Sequence, residues 1–180
     1  VRAEMLSIKN ILGFIAIKDG KIIIESYFNG SSKQDTNNIF SVTKSYMSTL
    51  IGIAYDKKLI LDVNITLSEF FPEFAFEHLD KISLDNVLTM STGFVDKYRY
   101  PLYREKKIEE LLSVKNNNSG KFLYSNSAGH IISHIILKKT KMTPMEFASS
   151  NLFPFLGIGL IRWDDGYLNI NDGSTNMYLT

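Results

Sequence analysis

Ser41-Val42-Thr43-Lys44 is the stretch whose residue types and spacing could do chemistry. A serine in the first turn of a helix, with a lysine three residues on, presents both side chains on one face. The amine then comes within hydrogen-bond reach of the hydroxyl, which is one way to activate a serine nucleophile without histidine. The bare pattern is weak. With 18 Ser and 16 Lys in 180 residues, about 1.6 Ser-x-x-Lys matches are expected by chance. The chain holds one, and an N-capping serine followed by a solvated lysine would look the same.

The elements around the tetrad decide what it means. Gly13 to Lys18 and Lys21 to Phe28 are β-rich runs split by Asp19-Gly20, the two-residue spacer of a type I′ hairpin. Both runs are apolar at nearly every position, which predicts a hairpin covered on both faces. From Val42 the period turns helical, with Met47, Leu50, Ile51 and Ala54 on one stripe. Ser45, Ser48 and Gly52 are small enough for close packing, so this helix is expected to be buried. Asp62 to Glu73 reads as loop and short helical turns ending near Pro72. Ser83 can cap a helix carrying Val87 and Leu88 that stops by Thr92-Gly93. Arg104 to Val114 is a modest helix, followed by a loop over Asn116 to Gly120. A strong helix is predicted over Ser127–Lys139, and Thr143-Pro144-Met145-Glu146 is a capping box with proline at its first position. Gly157 to Thr180 is rich in Gly, Asn and Asp and shows few regular signals. Beyond the hairpin no strong strand is evident, and two strands do not stand alone.

Composition bounds the class. An apolar fraction of 44% and a charged fraction of 22% are globular values. A net charge of +1 gives no electrostatic case for nucleic acid or an anionic membrane. The absence of cysteine excludes disulfides, thiolate metal sites and a cysteine nucleophile. No stretch is long and apolar enough to span a membrane.

Other chemistries fit less well. A triad hydrolase would need a Gly-x-Ser-x-Gly elbow, and none occurs. His130 and His134 have the i, i+4 spacing of a zinc pair, but no Glu follows His130, and His78 has no such partner. Tyr98, Tyr100 and Tyr103, near Arg99 and Arg104, could line a cleft or form a solvated aromatic loop.

With the elements placed, the chain resembles the serine β-lactamase and penicillin-binding-protein superfamily, above all the class C type β-lactamase-related hydrolases. The likeness runs from about Ile11 to Thr180. Phe14 to Lys21 looks like the family's opening hairpin, and Phe40 to Ser45 running into Leu50 to Ala54 like its nucleophile helix. Ile82 to Gly93 is similar to the leucine-threonine-serine-glycine segment. Phe122 to Gly129, with Phe147 to Ile158, resembles the tyrosine-x-asparagine motif and the elements after it. Tyr-x-Asn occurs three times, against about 0.7 expected; only Tyr124-Ser125-Asn126 opens a helix downstream of the tetrad. Joint order and spacing carry the likeness.

The resemblance implies an α/β fold of the α+β type, β-lactamase/transpeptidase-like: an antiparallel sheet with a helical subdomain, here an N-terminal hairpin and mostly helices. Residues 1–180 would be a single, partial domain. It implies Ser41 as the acylated nucleophile, Lys44 in the general-base network, Tyr124 sharing proton transfer, and Asn126 orienting Lys44 and contacting the substrate. The reaction would be acyl transfer to water from a small ester, amide, D-amino-acid peptide or β-lactam, with no metal or organic cofactor. The family's third element, lysine-threonine-glycine or histidine-x-glycine on a later strand, is not found after Asn126. The chain is therefore expected to stop short of the family's last helix and strands, and a noncatalytic binding or regulatory module, or an inactive fragment, stands as the alternative. The implied compartment leans to the cell envelope, with the cytoplasm open.

Overall fold

The structure, a computed structural model, describes residues 4, 5, 7–96, 105–114, 119–159 and 162–180. The Tyr98–Tyr103 cluster, Arg104 and residues 116–118 of the expected loop lie outside the described residues. The chain forms two compact units, Val1–Asn37 with Leu179–Thr180, and Asn38–Tyr178.

The first unit is built on the hairpin. Strand β1 (Gly13–Lys18) pairs antiparallel with β2 (Lys21–Tyr27), with a register shift between Ala16 and Ile17. Asp19 and Gly20 both take positive φ, 50° and 74°, as a type I′ turn requires. Among the described residues the expected cover on both faces is not met: Phe14, Ala16 and Ile24 are half-buried, but Ile15, Ile17, Ile22 and Ile23 are 52%, 66%, 57% and 60% exposed. A continuous apolar run reports what a strand can bury, and the burial itself must come from partner elements.

The second unit is mostly helical. Short strand β3 (Asn37–Asn38) leads into a 3₁₀ turn, Phe40–Val42, and then helix α1 (Thr43–Asp56). Next come α2 (Leu67–Phe70), α3 (Leu84–Leu88), α4 (Ile108–Leu112), α5 (Asn126–Thr140) and α6 (Pro144–Asn151). Strands β4 (Arg162–Trp163) and β5 (Met177–Leu179) complete a small sheet ordered β3-β5-β4. Trp163 pairs with Met177, and Ile39 N–H donates to Met177 O at 2.9 Å. These three short strands carry little β signal in the sequence, because each is only two or three residues long.

Local chemistry fixes the helix ends. Ser83 Oγ accepts Asn86 N–H, and Asn86 Oδ1 accepts Ser83 N–H, closing the first turn of α3. Thr143 and Glu146 do the same for α6, with Pro144 at its first position. Thr66 and Glu69 cap α2, which ends before Pro72. Ser125 caps α5 by accepting Ala128 N–H, and Lys141, at φ 62°, ends it.

Helix α5 is the hub. All ten residues from Ser127 to Ile136 are buried, and α1, α3, α4 and α6 each pack against it. A helix covered all round is one around which a domain is built. Helix α1, expected to be buried, is covered on one side only: Met47, Leu50, Ile51 and Ala54 face inward, while Ser45, Ser48 and Gly52 are exposed. The tail also departs from expectation. Asn171 to Met177 is buried throughout, so its polar residues are interior groups.

Burial within α5 has a titration consequence. The rings of His130 and His134 meet edge-on at 5.1 Å. Desolvation, then the nearby His130 and Lys138, push His134 down from 6.5 to about 3. Unfolding exposes an imidazole that binds a proton below pH 6.5, whereas the folded one stays neutral. Stability should therefore fall as pH drops from 6.5 toward about 3, by at most about 1.4 kcal/mol per pH unit from this group. Urea titrations at several pH values should show the gap between the unchanged chain and His134→Gln shifting in favour of the variant as pH falls.

Candidate functional site

The site is assembled within the second unit from three stretches of chain. The 3₁₀ turn ahead of α1 carries Ser41, and Lys44 sits one turn on, inside the helix. Lys44 Nζ donates to Ser41 Oγ at 3.3 Å, to Asn126 Oδ1 at 2.9 Å and to the backbone carbonyl of Ser174 at 2.6 Å. Tyr124 Oη lies 2.6 Å from Ser41 Oγ, and its ring centroid is 4.9 Å from Lys44 Nζ. All four residues singled out in the sequence, Ser41, Lys44, Tyr124 and Asn126, thus converge. Ser41 sits slightly differently from expectation: it occupies the 3₁₀ turn, two residues before the α-helix begins.

Residue Phe40, just before Ser41, is held at φ 45°, the left-handed region that a bulky side chain seldom adopts. Tyr124 is half-exposed, and its environment acts in two directions. Partial burial raises the phenol's pKa. Hydrogen bonds with Ser41 and Lys44, and the charge of Lys44, outweigh that and bring it below its usual value, with Asp96 opposing them. A phenol so placed gives up its proton more readily than one in water.

Asp96 is a residue that the sequence gave no reason to select. Its Oδ1 accepts from Ser125 Oγ at 2.7 Å and from Ser127 N–H at 3.0 Å, and its Oδ2 accepts from Asn126 N–H at 2.8 Å. A carboxylate at a helix N-terminus satisfies orphan donors and complements the dipole. Here it also anchors the turn from which Tyr124 and Asn126 project.

The third stretch, around Ser174, was also missed. It is pressed against α5 at two glycines. A Cβ on Gly129 would lie 3.0 Å from Ser174 Cα, and one on Gly173 would strike the Gly129 carbonyl and the Ser133 hydroxyl. This close approach brings the Ser174 carbonyl to Lys44. A glycine inside a strong helix was the available signal, since such positions often mark close backbone contact. Among the described residues no group of three or more His, Asp and Glu could hold a metal ion.

Residues 11–165 match the β-lactamase family profile. The chain belongs to the β-lactamase family. Its fold is that of solved relatives at low identity. It superposes on a Bacillus anthracis protein provisionally described as a 6-aminohexanoate-dimer hydrolase with a TM-score of 0.82 at 20% identity, covering 99% of this chain and 53% of that one. The class C β-lactamase from Rhodobacter sphaeroides gives 0.75 at 14%, covering 99% and 60%. The D-alanine carboxypeptidase AmpC from Burkholderia cenocepacia gives 0.75 at 17%, covering 99% and 58%. No curated protein sequence matches the chain significantly. The chain therefore spans little more than half the length of these relatives, and it carries part of the family's α/β fold.

Two substitutions probe the scaffold. Gly173→Ala should lower the thermal midpoint by several degrees, since its Cβ meets backbone and a helix-borne hydroxyl rather than a flexible side-chain end. Asp96→Ala should cost about 1–2 kcal/mol in urea unfolding, with Asp96→Asn losing less.

Proposed function

We propose that the chain carries the acyl-transfer centre of a serine hydrolase. The observation that bears most on this reading is the placement of Ser41 Oγ 2.6 Å from Tyr124 Oη and 3.3 Å from Lys44 Nζ. A nucleophile, a candidate base and the group orienting that base are then all within hydrogen-bond reach.

In this reading Ser41 Oγ attacks the carbonyl carbon of the substrate while its proton passes to Tyr124. Lys44 steadies the phenolate form of Tyr124 by its charge and its hydrogen bond. Asn126 holds Lys44 through its Oδ1, and its amide nitrogen faces the acyl or leaving group. Collapse of the tetrahedral adduct expels the leaving group, which takes the proton from Tyr124. Water then attacks the acyl-enzyme by the same proton route in reverse, releasing the acid and regenerating Ser41. With Ser41 two residues ahead of α1, the positive end of that helix's dipole would lie near the developing oxyanion. No step requires a metal or organic cofactor. The substrate class is a small ester, amide, D-amino-acid peptide or β-lactam; β-lactamases and a D-alanine carboxypeptidase are among the structural relatives. Residues 1–180 are read as part of one β-lactamase-like domain, and further strands of that domain would cover the exposed isoleucines of the hairpin.

Intact mass after incubation with a fluorophosphonate, and separately with a penicillin, tests this. A single adduct is expected, and Ser41→Ala should abolish it. The labelling rate should rise with pH and level off below pH 10, the ordinary phenol value, and Tyr124→Phe should remove that rise. A folded chain that takes up neither reagent would favour the noncatalytic module.

A further inference from the structure

The buried polar tail has a use that the acyl-transfer chemistry does not by itself explain. Asp172 is fully buried, and both of its carboxylate oxygens are engaged. Oδ1 accepts from Ser174 N–H at 2.9 Å and from Ser174 Oγ at 2.8 Å. Oδ2 accepts from Asn176 Nδ2 at 3.2 Å. From these two oxygens, chains of contacts run to the two ends of the tetrad.

On one side, Asp172 fixes Ser174, whose carbonyl takes the 2.6 Å hydrogen bond from Lys44. On the other side, Asn176 Oδ1 accepts from Asn38 Nδ2 at 3.2 Å, and Asn38 Oδ1 accepts from Phe40 N–H at 2.8 Å. Phe40 is the residue held at φ 45° immediately before Ser41. Phenylalanine pays sterically for that conformation and gains nothing local from it, so the surroundings must impose it. Its ring does not supply the hold: Phe40 is 63% exposed. The hydrogen bond to its backbone N–H acts at the point where the strain lies.

We infer that Asp172, through Asn176 and Asn38 on one side and Ser174 on the other, forms a positioning network that sets Ser41 and Lys44 relative to each other. Asp172, Asn176 and Asn38 touch no reacting atom and act through Phe40 and the Ser174 carbonyl. The consequence for rate rests on the acyl-transfer reading of Ser41; the geometry does not. The dependence follows from two facts of the site. Lys44 is tied to α5 by Asn126, whereas Ser41 stands outside the α-helix in a 3₁₀ turn. The serine is joined to α1 at the helix's first residue, whose N–H (Thr43) donates to the Phe40 and Ser41 carbonyls of the 3₁₀ turn, so the conformation of Phe40 bears directly on where the serine sits. A shift of about 1 Å at a reacting group can cost on the order of a hundredfold in rate.

The test uses Asn38→Ala, Asn176→Ala, their combination, and Asn38→Ala with Phe40→Gly. Asn38 is only half-buried, so its removal should leave the fold intact. Amide hydrogen exchange reads the geometry without any activity: both single variants should speed exchange of the Phe40 N–H about tenfold or more. Fluorophosphonate labelling of Ser41 reads the consequence. Its rate at saturating reagent should fall about tenfold or more in each single variant, with the half-saturating concentration unchanged. The double variant should be no slower than the slower single, as expected for two links of one chain. Phe40→Gly in the Asn38→Ala background should recover part of the rate, because glycine takes positive φ without being held. Unchanged Phe40 exchange in Asn176→Ala would overturn the network, as would losses that simply multiply in the double variant. If the unchanged chain does not label at all, the hydrolase reading fails, and the exchange result alone decides the network.

Discussion

Lys44 Nζ is where this structure closes. It donates to a hydroxyl from its own helical turn, to a side-chain amide from α5 and to a main-chain carbonyl from the tail. A lysine amine has three protons to place and accepts nothing, so three acceptors satisfy it fully. Those acceptors lie 3, 82 and 130 residues away in sequence. Three stretches that share no local pattern must therefore be brought together to hold one side chain. The core geometry of the second unit, with α1 laid on α5 and the tail pressed against α5, is the arrangement that does so.

Two opposite kinds of packing make that arrangement. Around most of α5 the contacts are apolar, with Ile131, Ile135 and Ile136 fully buried. Such contacts are non-directional and set position only coarsely. At the tail they give way to Asp172, Ser174 and Asn176, which are buried polar groups tied by hydrogen bonds of defined direction. Burying polar groups without partners would be costly, whereas a satisfied network fixes geometry more narrowly than apolar contact can. The glycines at 129 and 173 let the two kinds meet, since no side chain fits between the backbones there. The polar packing lies beside Lys44, whose Nζ donates to the Ser174 carbonyl.

Electrostatics follow the same economy. Asp96 compensates the N-terminus of α5 and opposes the lowering of the Tyr124 pKa, while the hydrogen bond with Ser41, then the hydrogen bond and charge of Lys44, produce that lowering. The phenol is thus set between a positive and a negative group, each held by the helix end that also carries Asn126. In contrast, His130 and His134 sit inside the same helix in surroundings that keep His134 neutral. Polar groups therefore gather beside Lys44 at one end of α5, while its middle is given over to packing.

The sequence by itself determined the local features of this chain. Asp19-Gly20 set the hairpin turn, Ser83 with Asn86 and Thr143 with Glu146 set two helix starts, and the apolar stripe of α1 set its inward face. Each depends on residues within a few positions of one another, so the information is contiguous. The pairing of Ser41 with Lys44, three residues apart, was legible for the same reason, and the order of motifs pointed to Tyr124 and Asn126. Tertiary structure alone decided the rest. Among the described residues the apolar hairpin acquired only partial cover, the small face of α1 stayed exposed, and a tail that read as irregular became interior. Asp96, Asn38 and the Ser174 carbonyl joined the site through bonds spanning about 30 to 138 residues. Whether a polar residue is buried, and which distant group it meets, depends on how the whole chain packs, and no short window of sequence contains that.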